Sequence, residues 1–348
     1  MPDFNQEIPA TSFFRYIFLI VSGFSLIILI GIFLIDPYKI WRQNSIAGLN
    51  EISLEVPNSI QMHAAVLNSA LHTPDVLILG SSKVRRGFNS GHASQLFDAN
   101  VQVTGIDLLP LSLATDLYSS ISKNTRIKKL YLEVNYFTSN ACERFLEYPS
   151  IEAHWVRTLL SLKPRDAMIQ SLKTLKINVL GPDILDGYFG SQGDYHEERK
   201  KGMETAKPKQ SVVEREFKYI ERKCQRQANN VADSKNLIAL FNAAQAQGTE
   251  VILLVLPASP NWQECILQAG LEPAITQWKN NISEQARQLH FRFLDLERDR
   301  DFPTSIHAMN DIPQFWDSSH FSSPIGDLLL AHMAKSDNGY DVIQPPAH

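Results

Sequence analysis

Val76-Leu77-Ile78-Leu79-Gly80-Ser81-Ser82-Lys83 is the stretch on which the reading of this chain turns. Four consecutive apolar residues predict a short buried strand, Gly80 permits a tight turn, and two serines stand where a helix would begin. A serine at the carboxyl end of a strand, beside the backbone N–H groups of a helix start, is well placed to be a nucleophile with oxyanion donors at hand. The same pattern also describes an ordinary strand-to-helix turn in which Ser82 is only a cap. What favours chemistry lies far along the chain, at Asp317-Ser318-Ser319-His320.

Asp317 and His320 come just before Ser322-Ser323-Pro324. Ser323 is a natural N-cap, Pro324 fits the first helical position, and Asp327 falls in the first turn. The pair therefore sits on the loop entering the last helix, after the last predicted strand and on the sheet edge expected to carry Ser82. There a histidine can take the serine proton while a carboxylate orients the imidazole and stabilises its charged form.

Outward from Val76 the chain alternates. The runs Val76–Leu79, Val101–Thr104, Lys129–Val134, Glu250–Leu256 and Phe291–Leu294 predict strands, and Ile60–Leu71, Leu111–Ser122 and Ala274–His290 predict helices. Short apolar strands alternating with helices imply an α/β fold, a central parallel sheet of about five strands covered on both faces. In such open sheets ligands gather outside the carboxyl ends of the strands. One segment breaks the alternation: Asn135 to Thr249 is far longer than a crossover needs. It carries helical patterns at Ser150–Ser161, Arg165–Asn178 and Val212–Asn229, a turn-rich piece from Gly181 to Asp194, and a charged run, His196–Lys201, that reads as a solvated face. The expectation is a helical insertion, at about residues 138–248, that caps the active edge.

With 348 residues, 44% hydrophobic and 20% charged, the chain has material for a sizeable core, and a net charge of −4 argues against a nucleic-acid binder. Cys142, Cys224 and Cys265 lie far apart and form no C-x-x-C pair. That speaks against a zinc site or a disulfide framework and leaves a single bridge open. His72, His92, His154, His196, His290 and His307 lack paired ligand spacing, and the Gly80–Gly87 loop lacks the Gly-Lys-Ser/Thr ending of a phosphate-binding loop. No metal and no cofactor is expected.

The run Tyr16–Ile35 contains no charged residue. As a helix it crosses the roughly 30 Å hydrocarbon core of a bilayer. It ends at Ile35-Asp36-Pro37-Tyr38, which is not a small-residue cleavage site, so an uncleaved anchor is expected rather than a signal peptide. Charges leave the orientation open: Arg15 stands against Asp3 and Glu7 on one side, Lys39 and Arg42 on the other. The expected organisation is a short tail at 1–15, an anchor at 16–35, a polar juxtamembrane linker at 36–58 and the main domain at 59–340.

Taken together these blocks resemble the SGNH (GDSL-like) hydrolase superfamily. In that superfamily the serine lies in a Gly-Asp-Ser or Gly-Ser-Ser block after the first strand. A glycine after the second strand and an asparagine after the third help form the oxyanion hole, and an Asp-x-x-His block near the C-terminus completes a triad. The resemblance implies a three-layer α/β/α fold and places the nucleophile at Ser82, with His320 and Asp317 as its partners. Gly105, in Thr104-Gly105-Ile106, and Asn135, in Glu133-Val134-Asn135, take the oxyanion-hole positions. The chain departs from the pattern at Ser81, where aspartate is commonest, and at Glu133 and Tyr136, where the usual block reads Gly-x-Asn-Asp.

The leading anchor, Asp36-Pro37-Tyr38 and Gly-Ser-Ser-Lys-Val-Arg-Arg-Gly are similar to the membrane-anchored acyl-transfer branch, which includes the alginate O-acetylation proteins and the D-alanyl-transfer protein of teichoic acid modification. That likeness implies a domain facing the periplasm or cell exterior, a serine O-acyltransferase or esterase acting on an envelope polysaccharide, an acyl donor and a glycan acceptor, and a multi-spanning O-acyltransferase as partner. Lys83, Arg85 and Arg86, close behind the nucleophile, would face an anionic polymer, or else form the solvated first turn of a helix. The competing reading is a catalytically inactive scaffold that binds glycan or the acyltransferase.

Overall fold

The computed structural model of the chain describes residues 10–38, 46, 48–51, 53–54, 56, 61–138, 164–181, 188–189, 195–196, 218, 231–297, 315 and 320–337. Its strands are β1 (Val76–Gly80), β2 (Val101–Gly105), β3 (Lys129–Glu133), β4 (Tyr188–Phe189), β5 (Tyr195–His196), β6 (Glu250–Val255) and β7 (Arg292–Asp295). Five of them form one sheet in the order β2-β1-β3-β6-β7, every neighbouring pair parallel. These are the five apolar runs of the sequence, with ends moved by no more than one residue. From β1 the chain steps to β2 on one side and to β3 on the other, so the strand order switches direction at the carboxyl ends of β1 and β3, where such sheets open a crevice.

The helices are α1 (Ala10–Ile35), α2 (Gln61–His72), α3 (Ser82–Gly87), α4 (Ser90–Phe97), α5 (Leu111–Ser122), α6 (Pro164–Leu180), α7 (Val231–Gln247), α8 (Pro260–Gln268), α9 (Glu272–Gln288) and α10 (Ser323–Asp337). Alternate residues of each strand point to opposite faces, and both faces are apolar. Leu77, Leu79, Leu130, Leu132, Leu253 and Val255 pack with Met62 of α2, Leu117 and Ile121 of α5, Leu237 and Leu240 of α7, and Trp278 and Ile282 of α9. Val76, Ile78, Tyr131, Ile252 and Leu254 pack on the other side with Val84 of α3, Ala93 of α4 and Ile325, Leu329 and Met333 of α10. The result is an α/β/α sandwich. The buried Tyr118 hydroxyl donates to Thr249 Oγ1 at 2.7 Å, and Thr249 donates in turn to the Ile127 carbonyl at 2.6 Å, pinning α5 to the starts of β3 and β6. Burial raises the Tyr118 phenol above its ordinary pKa.

Within the long insertion the structure shows α6, close to the expected Arg165–Asn178, and a small antiparallel pair, β4 with β5, in a stretch that reads as turns followed by the start of a charged run. The helix at Val231–Gln247 was not foreseen. The expected helix Ser150–Ser161 lies outside the described residues, as does Val212–Asn229 apart from Lys218, and as does the charged run beyond His196. Helix α1 is long and apolar enough to cross a membrane, with Phe13–Ile35 as the candidate span. Within the stretch expected as a polar linker, several of the described residues pack against the domain. Asp36 and Asn50 are buried, Leu54 N donates to the Pro37 carbonyl at 2.8 Å, and Tyr38 packs with Ala64, Leu54, Val56 and Leu67.

Candidate active site

Because all five strands of the main sheet run the same way, the residues that follow them share one edge. Ser82 is the first residue of α3, two positions past the end of β1. Ser81 caps that helix by accepting from Lys83 N at 3.2 Å, which leaves the Ser82 side chain half-buried and able to reach outward. Gly80 has no room for a Cβ: one would overlap Val84 and press on the Glu133 side chain. Gly105 is equally constrained: a Cβ there would overlap the Ser81 carbonyl and the backbone N and Cβ of Arg85. The end of β2 is thereby drawn against the first turn of α3.

His320 arrives from the other end of the chain. Phe315 and Phe321 form an antiparallel bridge that closes the loop before α10, and Phe321 is fully buried against Gly87 and Phe88. One turn into α10, Gly326 sits so close to the Gly87 carbonyl that a Cβ there would overlap it. Glycine at 87 and 326 lets α3 and α10 approach to backbone contact. This brings His320 Nε2 to 2.7 Å from Ser82 Oγ. Asp317 lies outside the described residues.

The sequence reading passed over the main use of Glu133. This buried carboxylate accepts from Ser81 N at 2.6 Å and from Ser81 Oγ at 3.0 Å. Two donors from the residue next to Ser82 are thus held by one acidic side chain from the neighbouring strand, a charge-assisted arrangement that fixes the turn. Its trace in the sequence is the departure from Gly-x-Asn at position 133, but its partner is 52 residues away and only the fold joins them.

Asn135 follows β3 at the same edge. Its Oδ1 accepts from Phe137 N at 2.9 Å and its Nδ2 lies 3.4 Å from Glu133 Oε1. Asn135, Glu133, Val134, Leu111, Thr138, Trp278 and Ile282 line a shallow recess open to solvent, with a cavity volume of only about 10 Å³. Tyr136 beside it is buried, edge-on to Trp278 and Phe137, and burial raises its phenol pKa.

Of the three basic residues after Ser82, two are held inside the fold rather than set out as a polymer-facing cluster. Lys83 is buried, and its ammonium donates to the carbonyls of Leu256 at 3.3 Å and Pro257 at 3.1 Å, tying α3 to the loop after β6. A lysine that satisfies backbone carbonyls inside the fold is not presented to a polymer. Arg85 is largely buried and pairs with Asp107 at 2.6 Å. Arg86 is half-buried. Among the described residues no group of three or more His, Cys, Asp or Glu side chains is arranged to hold a metal. Cys265 is buried in the core, whereas Cys142 and Cys224 lie outside the described residues.

No protein-family profile and no curated protein sequence matches the chain. Among solved structures it is similar to a candidate platelet activating factor from Streptococcus pneumonia, at 13% identity over 81% of this chain and 93% of that one, with a TM-score of 0.40. A catalytic mutant of an acetylxylan esterase from Geobacillus stearothermophilus aligns at 11% identity over 77% and 95%, with a TM-score of 0.36. An extracellular lipase from Streptomyces rimosus aligns at 10% identity over 75% and 99%, with a TM-score of 0.34.

Proposed function

We propose that this chain is a membrane-anchored serine acyltransferase or esterase of the SGNH type, acting on a cell-envelope polysaccharide with its main domain on the periplasmic or outer side. The observation that carries the reading is the 2.7 Å contact between Ser82 Oγ and His320 Nε2 at the carboxyl edge of a parallel sheet. At that distance the imidazole takes the hydroxyl proton as Ser82 attacks an acyl donor. Asp317, three residues before His320, orients the ring and stabilises its charged form. The oxyanion is held by backbone N–H groups at Ser82 and Gly105 together with the Asn135 amide. Collapse of the tetrahedral adduct leaves an ester on Ser82 and passes the proton from His320 to the leaving group. A sugar hydroxyl then attacks in transfer, or water in hydrolysis. The acyl group in this proposal is a short one such as acetyl, and a multi-spanning O-acyltransferase is the partner that would supply it.

The test is made on the full chain in detergent, with a serine-reactive fluorophosphonate and a chromogenic acetyl ester, comparing wild type with Ser82→Ala and His320→Ala. Labelling and turnover in wild type, lost in both variants, is the expected result. A folded wild type that neither labels nor turns over, together with normal glycan acylation in cells carrying Ser82→Ala, would overturn the catalytic reading and favour a binding scaffold.

A further inference from the structure

Helix α6 carries an apolar face that the described residues leave uncovered. Met168, Leu172, Leu175 and Val179 recur at i, i+4, i+7 and i+11, one stripe along the helix. Met168, Leu172 and Val179 are 36%, 58% and 66% exposed, and Ile169 and Leu180 beside them are exposed as well. A separate stripe, Ala167, Ser171, Thr174 and Ile177, is buried. Lys173 and Lys176 are exposed between the turns of the apolar residues. Contiguous exposed apolar surface of this kind marks an interaction site in a folded protein.

What covers it is indicated by its neighbour. Helix α6 packs against α1, the apolar helix long enough to cross a bilayer. The residues of α1 withdrawn from solvent, Ile28, Gly31, Ile32 and Ile35, form one stripe near its C-terminal end, while Phe18, Leu19, Phe24 and Leu29 stay exposed. Two adjacent helices thus present uncovered apolar surface side by side. With 17 residues, about 26 Å long, and lysines within its length, α6 is not itself a span. An apolar stripe bordered by lysines is the pattern of a helix lying in the membrane surface.

We propose that α6 is a second membrane-contacting element: it lies in the bilayer interface beside α1, with Met168, Leu172, Leu175 and Val179 among the acyl chains and Lys173 and Lys176 reaching the headgroup phosphates. This inference rests on reading α1 as a membrane span. It gives part of the insertion a lipid-facing role in place of a purely cap-like one.

The full chain, in a background lacking Cys142, Cys224 and Cys265 and shown by circular dichroism to be folded, is reconstituted into vesicles of phosphatidylcholine and phosphatidylglycerol. Single cysteines replace Leu172, Val179, Leu29 of α1 or the exposed Asp116 of α5, and each carries a nitrobenzoxadiazole dye. Doxyl groups on the lipid acyl chains then report depth. Quenching of Leu172→Cys and Val179→Cys to roughly the extent of Leu29→Cys, with Asp116→Cys unquenched, is the expected outcome. If Leu29→Cys is quenched while Leu172→Cys and Val179→Cys behave like Asp116→Cys, the inference is overturned and the span stands. If Leu29→Cys is itself unquenched, the span falls and the inference with it.

Discussion

Ser82 Oγ and His320 Nε2 stand 2.7 Å apart although 238 residues separate them along the chain. The distance is set by backbone rather than by side chains. Ser82 opens α3, His320 precedes α10 by three residues, and the two helices touch through Gly87 and Gly326.

Gly326→Ala is therefore expected to act at a distance. The added Cβ forces α10 away from the Gly87 carbonyl, at a cost of about 1–3 kcal/mol for overpacking. The urea midpoint should fall, and fluorophosphonate labelling of Ser82 should slow by more than the stability loss alone explains. An unchanged midpoint would show that the contact is looser than described.

Ser82→Ala and His320→Ala should separate the roles of the pair. Ser82 is half-buried and its hydroxyl holds no structural position deep in the core, so the first variant should fold normally and take no label. The second should keep the nucleophile but lose its base, slowing labelling by about 10²–10⁴-fold. Equal labelling rates in wild type and His320→Ala would remove the histidine from the mechanism.

Glu133→Gln keeps the shape of the side chain while turning one of its two acceptors into a donor. Ser81 N–H and Oγ–H cannot then both be satisfied as they are now. The loss of a hydrogen bond to a charged group in a buried place is worth about 1.5–3 kcal/mol. Labelling of Ser82 should slow with little change in ester KM, because the turn rather than the binding surface is disturbed. Wild-type labelling in this variant would mean that the carboxylate is only filling space.

His72 gives a pH dependence. Burial lowers its pKa below 6.5, so the folded chain resists protonation that the unfolded chain accepts. Stability from the neutral ring is complete above pH 6.5 and is lost as pH falls from there through the folded-state value. His72→Gln should lose less Tm than wild type between pH 7.5 and 5.0, measured by thermal melts at each pH. Parallel losses would assign the acid sensitivity elsewhere.

Much of this architecture could be read from residues in order. Apolar runs such as Val76–Leu79 and Glu250–Leu256 gave the strands because a strand buried on both faces has no polar side to confuse the pattern. Short helices were harder. Helix α4 buries only Ala93, too little for a period to emerge, although Asn89 caps it by accepting from His92 N. Helix α8 was announced by Ser259 followed by Pro260, a cap and first-turn pair overlooked in the sequence. Helix α7 places Leu237, Leu240 and Ala244 on one face, a pattern diluted by the small and polar residues between them. In the candidate site, Ser82 and His320 were legible as motif residues. The carbonyl contacts of Lys83 and the grip of Glu133 on Ser81 were not, since each joins strands or loops that only the parallel sheet places side by side.

The junction after α1 has a consequence for reach. With Tyr38 packed against Ala64 and Leu67 of α2 and Leu54 N bonded to the Pro37 carbonyl, the end of α1 is fixed directly to the folded domain. Under the proposed membrane-anchored function, an edge mounted in this way works at a single height above the lipid and cannot sweep a volume as a tethered domain does. That proposal then requires the polymer to be threaded past the edge and the acyl donor to be delivered at the same level.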